Sequence, residues 1–264
     1  MKDTYLKKIL ETTRISISER KKISPLSKLE SRLVDAESTR GFKDCLIKSV
    51  EKNDIAVIAE MKKASPSQGL MRKKYEPEEL AQHYAKANAA CLSVLTDEPF
   101  FQGSVEHLAM VRKSVDLPLL RKDFIIDEYQ VYESRFQGAD CILLIAAALT
   151  QNQLKDYYQL ATELKLDVLV EVHAFDEVEK ALRIDANLIG INNRNLKTFE
   201  VDLEITKHLA QYIPQEVLVV SESGIKTRED VQKICSYGVS IFLVGEAFMK
   251  AENPGSELKN IFFN

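Results

Sequence analysis

The chain has 264 residues, 45% of them hydrophobic and 29% charged, with a net charge of -4 and a pI near 5.7. That length suits one large α/β domain, and the acidic balance argues against a nucleic-acid surface. No run reaches the ~20 apolar residues of a membrane span, and the charged start MKDTYLKKILE lacks a signal-peptide core, so a cytoplasmic protein with no membrane partner is expected.

Residues 1–50 carry an apolar stripe at Leu6, Ile9 and Leu10, a helix start at Ser24-Pro25 and a helical stretch over 42–50. They read as an N-terminal helical extension, with 51–54 as a polar turn after it. From residue 55 onward strand and helix alternate. Strands are expected at 55–62, 91–96, 118–122, 141–146, 167–172, 188–192, 217–221 and 240–244. Several, such as CILLIAA and VLVV, are almost wholly apolar, as strands covered on both faces are. Amphipathic helices are expected at 76–88, 105–115, 128–137, 151–164, 175–183, 203–212 and 228–237, with an eighth at 256–263. Pro77 and Thr227 suit helix starts. Eight such units predict a single-domain (β/α)8 TIM barrel over 1–264, with 1–50 packed on it. An open doubly wound sheet is the alternative, but none of the nine glycines makes a GxGxxG turn.

The strand ends break the apolar pattern. Side chains alternate along a strand, so Ile58, Glu60 and Lys62 share one direction, as do Leu120, Lys122 and Phe124, Leu169 and Glu171, and Val220 and Glu222. Asn192 and Arg194 end the sixth strand. Buried charges are costly unless paired or used. Any one of them could belong to a solvated rim of salt bridges, but three cations and three carboxylates at the C-terminal ends of several barrel strands point to an active site.

A phosphate site is expected after strands seven and eight, where barrels commonly hold one. There the chain reads Ser221-Glu222-Ser223-Gly224 and Val244-Gly245-Glu246, and glycine lets backbone N–H groups approach an anion closely. The plain alternative is two small-residue turns. Ser65-Pro66-Ser67 either meets substrate or caps the loop after strand one. Of Phe100 and Phe101, either one stacks on an aromatic substrate or both pack under the N-terminal helix. The four cysteines and four histidines show no ligand spacing, so no metal site is expected; the thiols read as buried and reduced, and His173 as peripheral.

Taken in order, IAEMKKASPSQG, VLTDEPFFQGS, LLRKDFIIDEYQVYE, LVEVH, IGINNRNLKTFEVD, VSESGI and LVGEAFM resemble the motifs of the indole-3-glycerol phosphate synthase family. The resemblance spans the barrel and extends to the N-terminal helices. It implies a cofactor-independent carboxy-lyase of tryptophan biosynthesis. The family converts 1-(2-carboxyphenylamino)-1-deoxyribulose 5-phosphate to indole-3-glycerol phosphate, carbon dioxide and water. It implies that Lys122 is the general acid for ring closure and Glu171 the base for dehydration, with Lys62 or Lys122 protonating the departing hydroxyl. Lys62 would hold a substrate anion, Glu60 would position a lysine, and Asn192 and Arg194 would orient the substrate. Glu222, Ser223 and Ser65 would hold it too. Phe101, Phe124, Pro66 and Leu143 would wall the aromatic ring, and Gly224, Gly245 and Glu246 would give backbone N–H groups to phosphate. Acid catalysis by lysine suggests a pKa lowered by burial and neighbouring cations.

Two other readings compete. A sugar-phosphate isomerase such as phosphoribosylanthranilate isomerase would need a Cys/Asp pair, yet Cys91 and Cys141 open their strands. A binding-only barrel would have no need of both an acid and a base. The expected partner is a small phosphorylated substrate, acting on a monomer, with a dimer as the alternative.

Overall fold

The computed structural model describes residues 5–195 and 198–263; Leu196 and Lys197, within the sixth-strand motif, lie outside them. Eight parallel strands close into a barrel: β1 (Ala56–Met61), β2 (Cys91–Leu95), β3 (Leu119–Lys122), β4 (Cys141–Ile145), β5 (Asp167–Val172), β6 (Leu188–Asn192), β7 (Leu218–Glu222) and β8 (Ile241–Val244). Each pairs with its sequence neighbours, and β1 closes on β8 with Ala56 opposite Ile241. The architecture is the expected (β/α)8 barrel.

Strand alternation sorts the core into two shells. Val57, Ala59 and Met61 of β1 face outward and join Leu92, Val94, Ile142, Leu144, Val168 and Val170 against the helices. Ala56 and Ile58 face inward with Leu120, Leu143, Leu169, Val220 and Leu243. Two residues past Ile58, Leu120, Leu169 and Val220, the odd-numbered strands carry Glu60, Lys122, Glu171 and Glu222. The barrel is therefore greasy at its floor and charged at its mouth.

The N-terminal extension spans both ends. Helix α1 (Tyr5–Ile23) buries Ile9, Thr13 and Ile17, spaced four apart so that one stripe faces the barrel. Its first turn reaches the mouth, where Tyr5, Leu6 and Ile9 line the cleft. Arg20 donates to Glu133 at 2.6 Å and Lys21 to Asp127 at 2.8 Å, fixing its far end to the helix Glu128–Phe136. Helix α2 (Leu26–Arg32) follows. Helix α3 (Phe42–Asn53) then buries Phe42 and Leu46 in the inner shell beside Ala56, Cys91 and Cys141, sealing the floor. Burying one such side chain is worth about 1.5–3 kcal/mol. Between α2 and α3, Asp140 accepts from the Arg40 and Leu119 backbone N–H groups, both at 2.8 Å, and from the Arg112 guanidinium at 2.9 Å.

Several local expectations are corrected. The polar turn at 51–54 is mostly helix, because α3 continues to Asn53 and ends with Asp54 in the left-handed region at φ 64°. Of the four cysteines only Cys91 and Cys141 are buried; Cys45 is half-buried and Cys235 exposed, since the last lies on the outer face of a barrel helix. The loop after β1 folds into a hairpin, Ala64–Ser65 against Gly69–Leu70. Two short helices were not anticipated: Glu98–Phe101, capped by Asp97, and Glu246–Lys250, directly after β8. Too few residues are involved for a periodic signal.

Candidate active site

The mouth of the barrel holds a cleft of about 1110 Å³, its open solvent included, lined by Glu60, Lys62, Lys122, Glu171, Asn192, Arg194 and Glu222 from the strand ends and by residues of the loops after β1, β2, β7 and β8; Phe100 is not among them. Its base is the charged ring. The Lys122 ammonium lies 3.2 Å from Glu171 Oε2 and 3.6 Å from Glu222 Oε2, and Lys62 donates to Glu60 Oε1. These three contacts occur almost without solvent: Glu60, Glu171 and Glu222 are each under 5% exposed. β1 ends at Met61, so Lys62 stands one residue beyond the strand and turns back onto Glu60.

Two glycines make room for the carboxylates. A Cβ on Gly190, in the middle of β6, would overlap Glu222 Oε1 and lie 3.1 Å from Glu222 Cδ. A Cβ on Gly245 would lie 2.7 Å from Glu60 Oε1. The Gly190 role was not anticipated. Its one sequence signal is a glycine inside an otherwise apolar strand, which marks a close approach.

Electrostatics differ from expectation at Lys122. Burial pulls its pKa down, but Glu171, Glu222 and Glu60 outweigh burial and raise it above the ordinary lysine value. The predicted lowering is thus wrong, because its nearest charged neighbours are carboxylates rather than cations. Burial pushes the Glu222 carboxyl up to about 8; Lys122 opposes this, while Glu171 and Glu60 add to it. At Glu60 burial works upward as well, but Lys62 and Lys122 overcome it and the pKa falls below the usual range. One buried ring thus holds an ammonium, a carboxylate and a carboxyl that keeps its proton at neutral pH.

Around the ring, Asn192 is buried at the end of β6. Its Oδ1 accepts from the Arg194 backbone N–H at 3.0 Å, and its carbonyl lies 2.7 Å from His173 Nδ1. A carbonyl can only accept, so this Nδ1 carries the proton. His173, expected to be peripheral, therefore ties β5 to β6. Asn193, not anticipated, is buried and donates to Ser221 Oγ at 3.0 Å and to the Ser223 carbonyl at 3.1 Å, while Thr206 Oγ1 donates to its Oδ1 at 2.8 Å. Ser223 and Gly224 both have positive φ, 66° and 85°. Arg194 donates to Glu246 Oε2 at 3.0 Å.

The apolar wall joins Phe101 and Phe124, with ring centroids 6.2 Å apart, to Leu143 and Pro66; buried Ser65 lies at its edge. The aromatic pair divides. Phe101 faces the cleft, and Phe100 packs edge-on to Tyr5 of α1 at 5.7 Å. Tyr5 also meets Phe199 at 5.3 Å. Leu6 and Ile9 were legible as an apolar stripe, but their place over the mouth was not. Cys91 and Cys141 lie in the inner shell near the floor, away from this chemistry. Among the described residues no group of three His, Cys, Asp or Glu could hold a metal, and no helix is long and apolar enough to cross a membrane.

Comparison with known proteins agrees with the geometry. The family model described as indole-3-glycerol phosphate synthase matches residues 6–261. A protein of that name from Variovorax paradoxus (strain S110) is 51% identical, the match covering 97% of this chain and 98% of the relative. Solved structures share the fold at low identity. A 3-hexulose-6-phosphate synthase superposes with a TM-score of 0.61 at 14% identity, covering 78% of this chain and 98% of its own. The N-acetylmannosamine-6-phosphate 2-epimerase of Clostridium perfringens gives 0.59 at 14%, covering 79% and 93%. With a match over nearly its whole length and a relative identical at half its positions, the chain belongs to the indole-3-glycerol phosphate synthase family.

Proposed function

We propose that the cleft closes an indole ring on 1-(2-carboxyphenylamino)-1-deoxyribulose 5-phosphate, releasing carbon dioxide and water to leave indole-3-glycerol phosphate. The observation that carries the reading is the Lys122–Glu171 pair, an acid and a base 3.2 Å apart at the ends of β3 and β5. In the first step the aromatic carbon bearing the carboxylate attacks the substrate ketone, and Lys122 gives its proton to the ketone oxygen. An acid must stand beside that oxygen for the charge to be quenched as it develops. The raised pKa of Lys122 suits this role, because the ammonium is fully populated and a nascent alkoxide is far more basic than an amine.

The new carbon–carbon bond leaves a quaternary carbon, and loss of carbon dioxide returns its electrons to the ring. Phe101, Phe124, Pro66 and Leu143 favour this by taking the substrate carboxylate out of water. In the last step the hydroxyl departs with a proton from Lys62 or Lys122, and Glu171 removes the ring-side proton. Lys62, held by Glu60, serves a substrate anion; Asn192, Arg194, Ser65, Glu222 and Ser223 orient the sugar. Backbone N–H groups at Gly224, Gly245 and Glu246 receive the phosphate, with the paired positive-φ residues Ser223 and Gly224 suited to an anion-binding turn. One chain supplies all of these groups, so we take the monomer as the working unit. We also place the protein in the cytoplasm, in keeping with four cysteines that form no disulfide.

The test is a fluorescence assay of the purified protein with that substrate, run beside Lys122→Ala. Indole emission from wild type, and a loss of about 10²–10⁴-fold in the variant with its melting temperature kept, is the expected result. No product from folded wild type would refute the reaction, and an active Lys122→Ala would refute the acid.

A further inference from the structure

Among the described residues, every cation lining the cleft is held by a carboxylate: Lys62 by Glu60, Lys122 by Glu171 and Glu222, and Arg194 by Glu246. A phosphate monoester brings nearly two further negative charges near neutral pH. To gain a cation it must take one from a carboxylate already bound to it. The four carboxylates are not equally able to let go. The side chains of Glu60, Glu171 and Glu222 are 6%, 4% and 2% exposed and stand at the ends of barrel strands. That of Glu246 is 20% exposed, on a five-residue helix at the rim. It can turn into water, whereas the other three have nowhere to go without losing buried partners.

Glu246 also holds a second cation. Its Oε1 accepts from Lys250 Nζ at 2.7 Å, and the same Nζ donates to Gln68 Oε1 at 2.7 Å. Arg194 follows β6, Glu246 and Lys250 follow β8, and Gln68 follows β1. One carboxylate thus gathers two cations, from the segments after β6 and β8, at the end of the cleft that Gly224 and Gly245 line.

We propose that the Glu246 side chain is a displaceable counter-ion, which keeps Arg194 and Lys250 at the phosphate end of the cleft and yields both to the substrate phosphate. This rests on the reading above, that the β7 and β8 loops receive a phosphate ester. It adds Lys250 as a phosphate-binding cation and gives Glu246 two opposed parts, its backbone N–H attracting the phosphate and its carboxylate competing with it. Protonation does not relieve the competition. Burial acts upward on the Glu246 carboxyl, but Lys250, Arg194 and Lys62 hold its pKa below the usual range, so it stays charged at neutral pH.

The test uses calorimetric titration with inorganic phosphate, on full-length wild type, Glu246→Gln, Lys250→Met and the double variant. Glu246→Gln keeps the shape and removes the charge, and should bind phosphate roughly tenfold more tightly at low salt. The gain should shrink toward nothing at ~0.5 M NaCl, because part-exposed charges are screened. Lys250→Met should weaken binding more in the Glu246→Gln background than in wild type, where the lysine is already neutralised. A Glu246→Gln protein that binds phosphate no better, or worse, would overturn the proposal and make Glu246 a fixed support for Arg194. Equal losses from Lys250→Met in both backgrounds would overturn it too, as would no phosphate binding by any of the four proteins. Turnover of the carboxyphenylamino substrate by wild type, measured in parallel, separates the two claims. Inactive wild type that binds phosphate sinks the lyase reading alone, while active wild type with an unimproved Glu246→Gln sinks the counter-ion alone.

Discussion

Gly190→Ala tests the whole arrangement of the charged ring with one methyl group. Gly190 has no positive φ, so alanine suits its strand backbone. The conflict lies entirely in the side chain. The new methyl overlaps Glu222 Oε1, and sits 3.1 Å from Glu222 Cδ and 3.2 Å from Leu169 Cδ1. Ordinary contact needs about 3.5 Å or more, so the carboxyl must retreat by roughly an ångström to clear its nearest atom. Its contact with Lys122, already 3.6 Å, then breaks. A misplacement of that size can cost about 100-fold in turnover, while overpacking at a filled site costs about 1–3 kcal/mol of stability. The indole fluorescence assay and urea unfolding measure the two effects. The control is Gly190→Ala combined with Glu222→Ala. With the carboxyl gone the methyl has space, so the second change should restore most of the lost stability and none of the activity. Wild-type kcat/KM in Gly190→Ala, or additive stability losses in the double variant, would refute the reasoning.

Glu222 gives a pH prediction. Its pKa of about 8 exceeds the ordinary 4.5, so between those values the folded protein binds more protons than the unfolded chain, and stability falls as pH rises. The contribution is complete below 4.5 and lost through pH 8. Lys122, shifted upward, adds no slope here, since its share is lost only above the ordinary lysine value of 10.5. Urea unfolding at pH 5 to 9 should therefore show Glu222→Gln gaining on wild type as pH rises, and a constant gap would count against the assignment. Asp140→Ala should lose about 3–5 kcal/mol, because it takes the buried partner from Arg112, leaving that charge only the exposed Glu37, and unpairs the buried Leu119 N–H, yet leave kcat/KM of the surviving folded protein near wild type; a lost rate in folded protein would place Asp140 in the site. Phe101→Ala should raise KM by several-fold, matching the ~1 kcal/mol of one aromatic contact, with a smaller change in kcat; an unchanged KM would remove Phe101 from the wall.

The barrel was legible because its strands are short apolar runs at regular spacing, and the charged ring because Glu60, Lys122, Glu171 and Glu222 each stand two residues past an inward apolar one. Alternation alone predicts that they converge. What stayed hidden depends on distances between segments far apart in the chain. Lys122 was expected to lose its proton easily, because a sequence shows which charges share a site but not which lie nearest. Tyr5 over the mouth, and Asn193 bracing Ser221, Ser223 and Thr206, are tertiary placements with no local pattern. Gly190 is the intermediate case. The glycine was visible in the strand, but only Glu222 reaching across from β7 shows what the missing side chain is for.

Why Lys122 stands among three acidic side chains follows from the same distances. An isolated lysine this deep would shed its proton to escape burial. With the Glu171 carboxyl 3.2 Å away it keeps the proton that the proposed acid would deliver. Buried beside Glu171, Glu222 holds its own proton, as burial and that neighbour both favour, which accords with the base role proposed for Glu171. Removing Glu222 altogether would therefore take a neighbour from Lys122 and leave a cavity beside Glu171. Glu222→Gln keeps a neutral group of the same size and should spare Glu171 as a base, so it is expected to retain more activity than Glu222→Ala at neutral pH. The reverse order would mean that the reaction needs Glu222 as an anion.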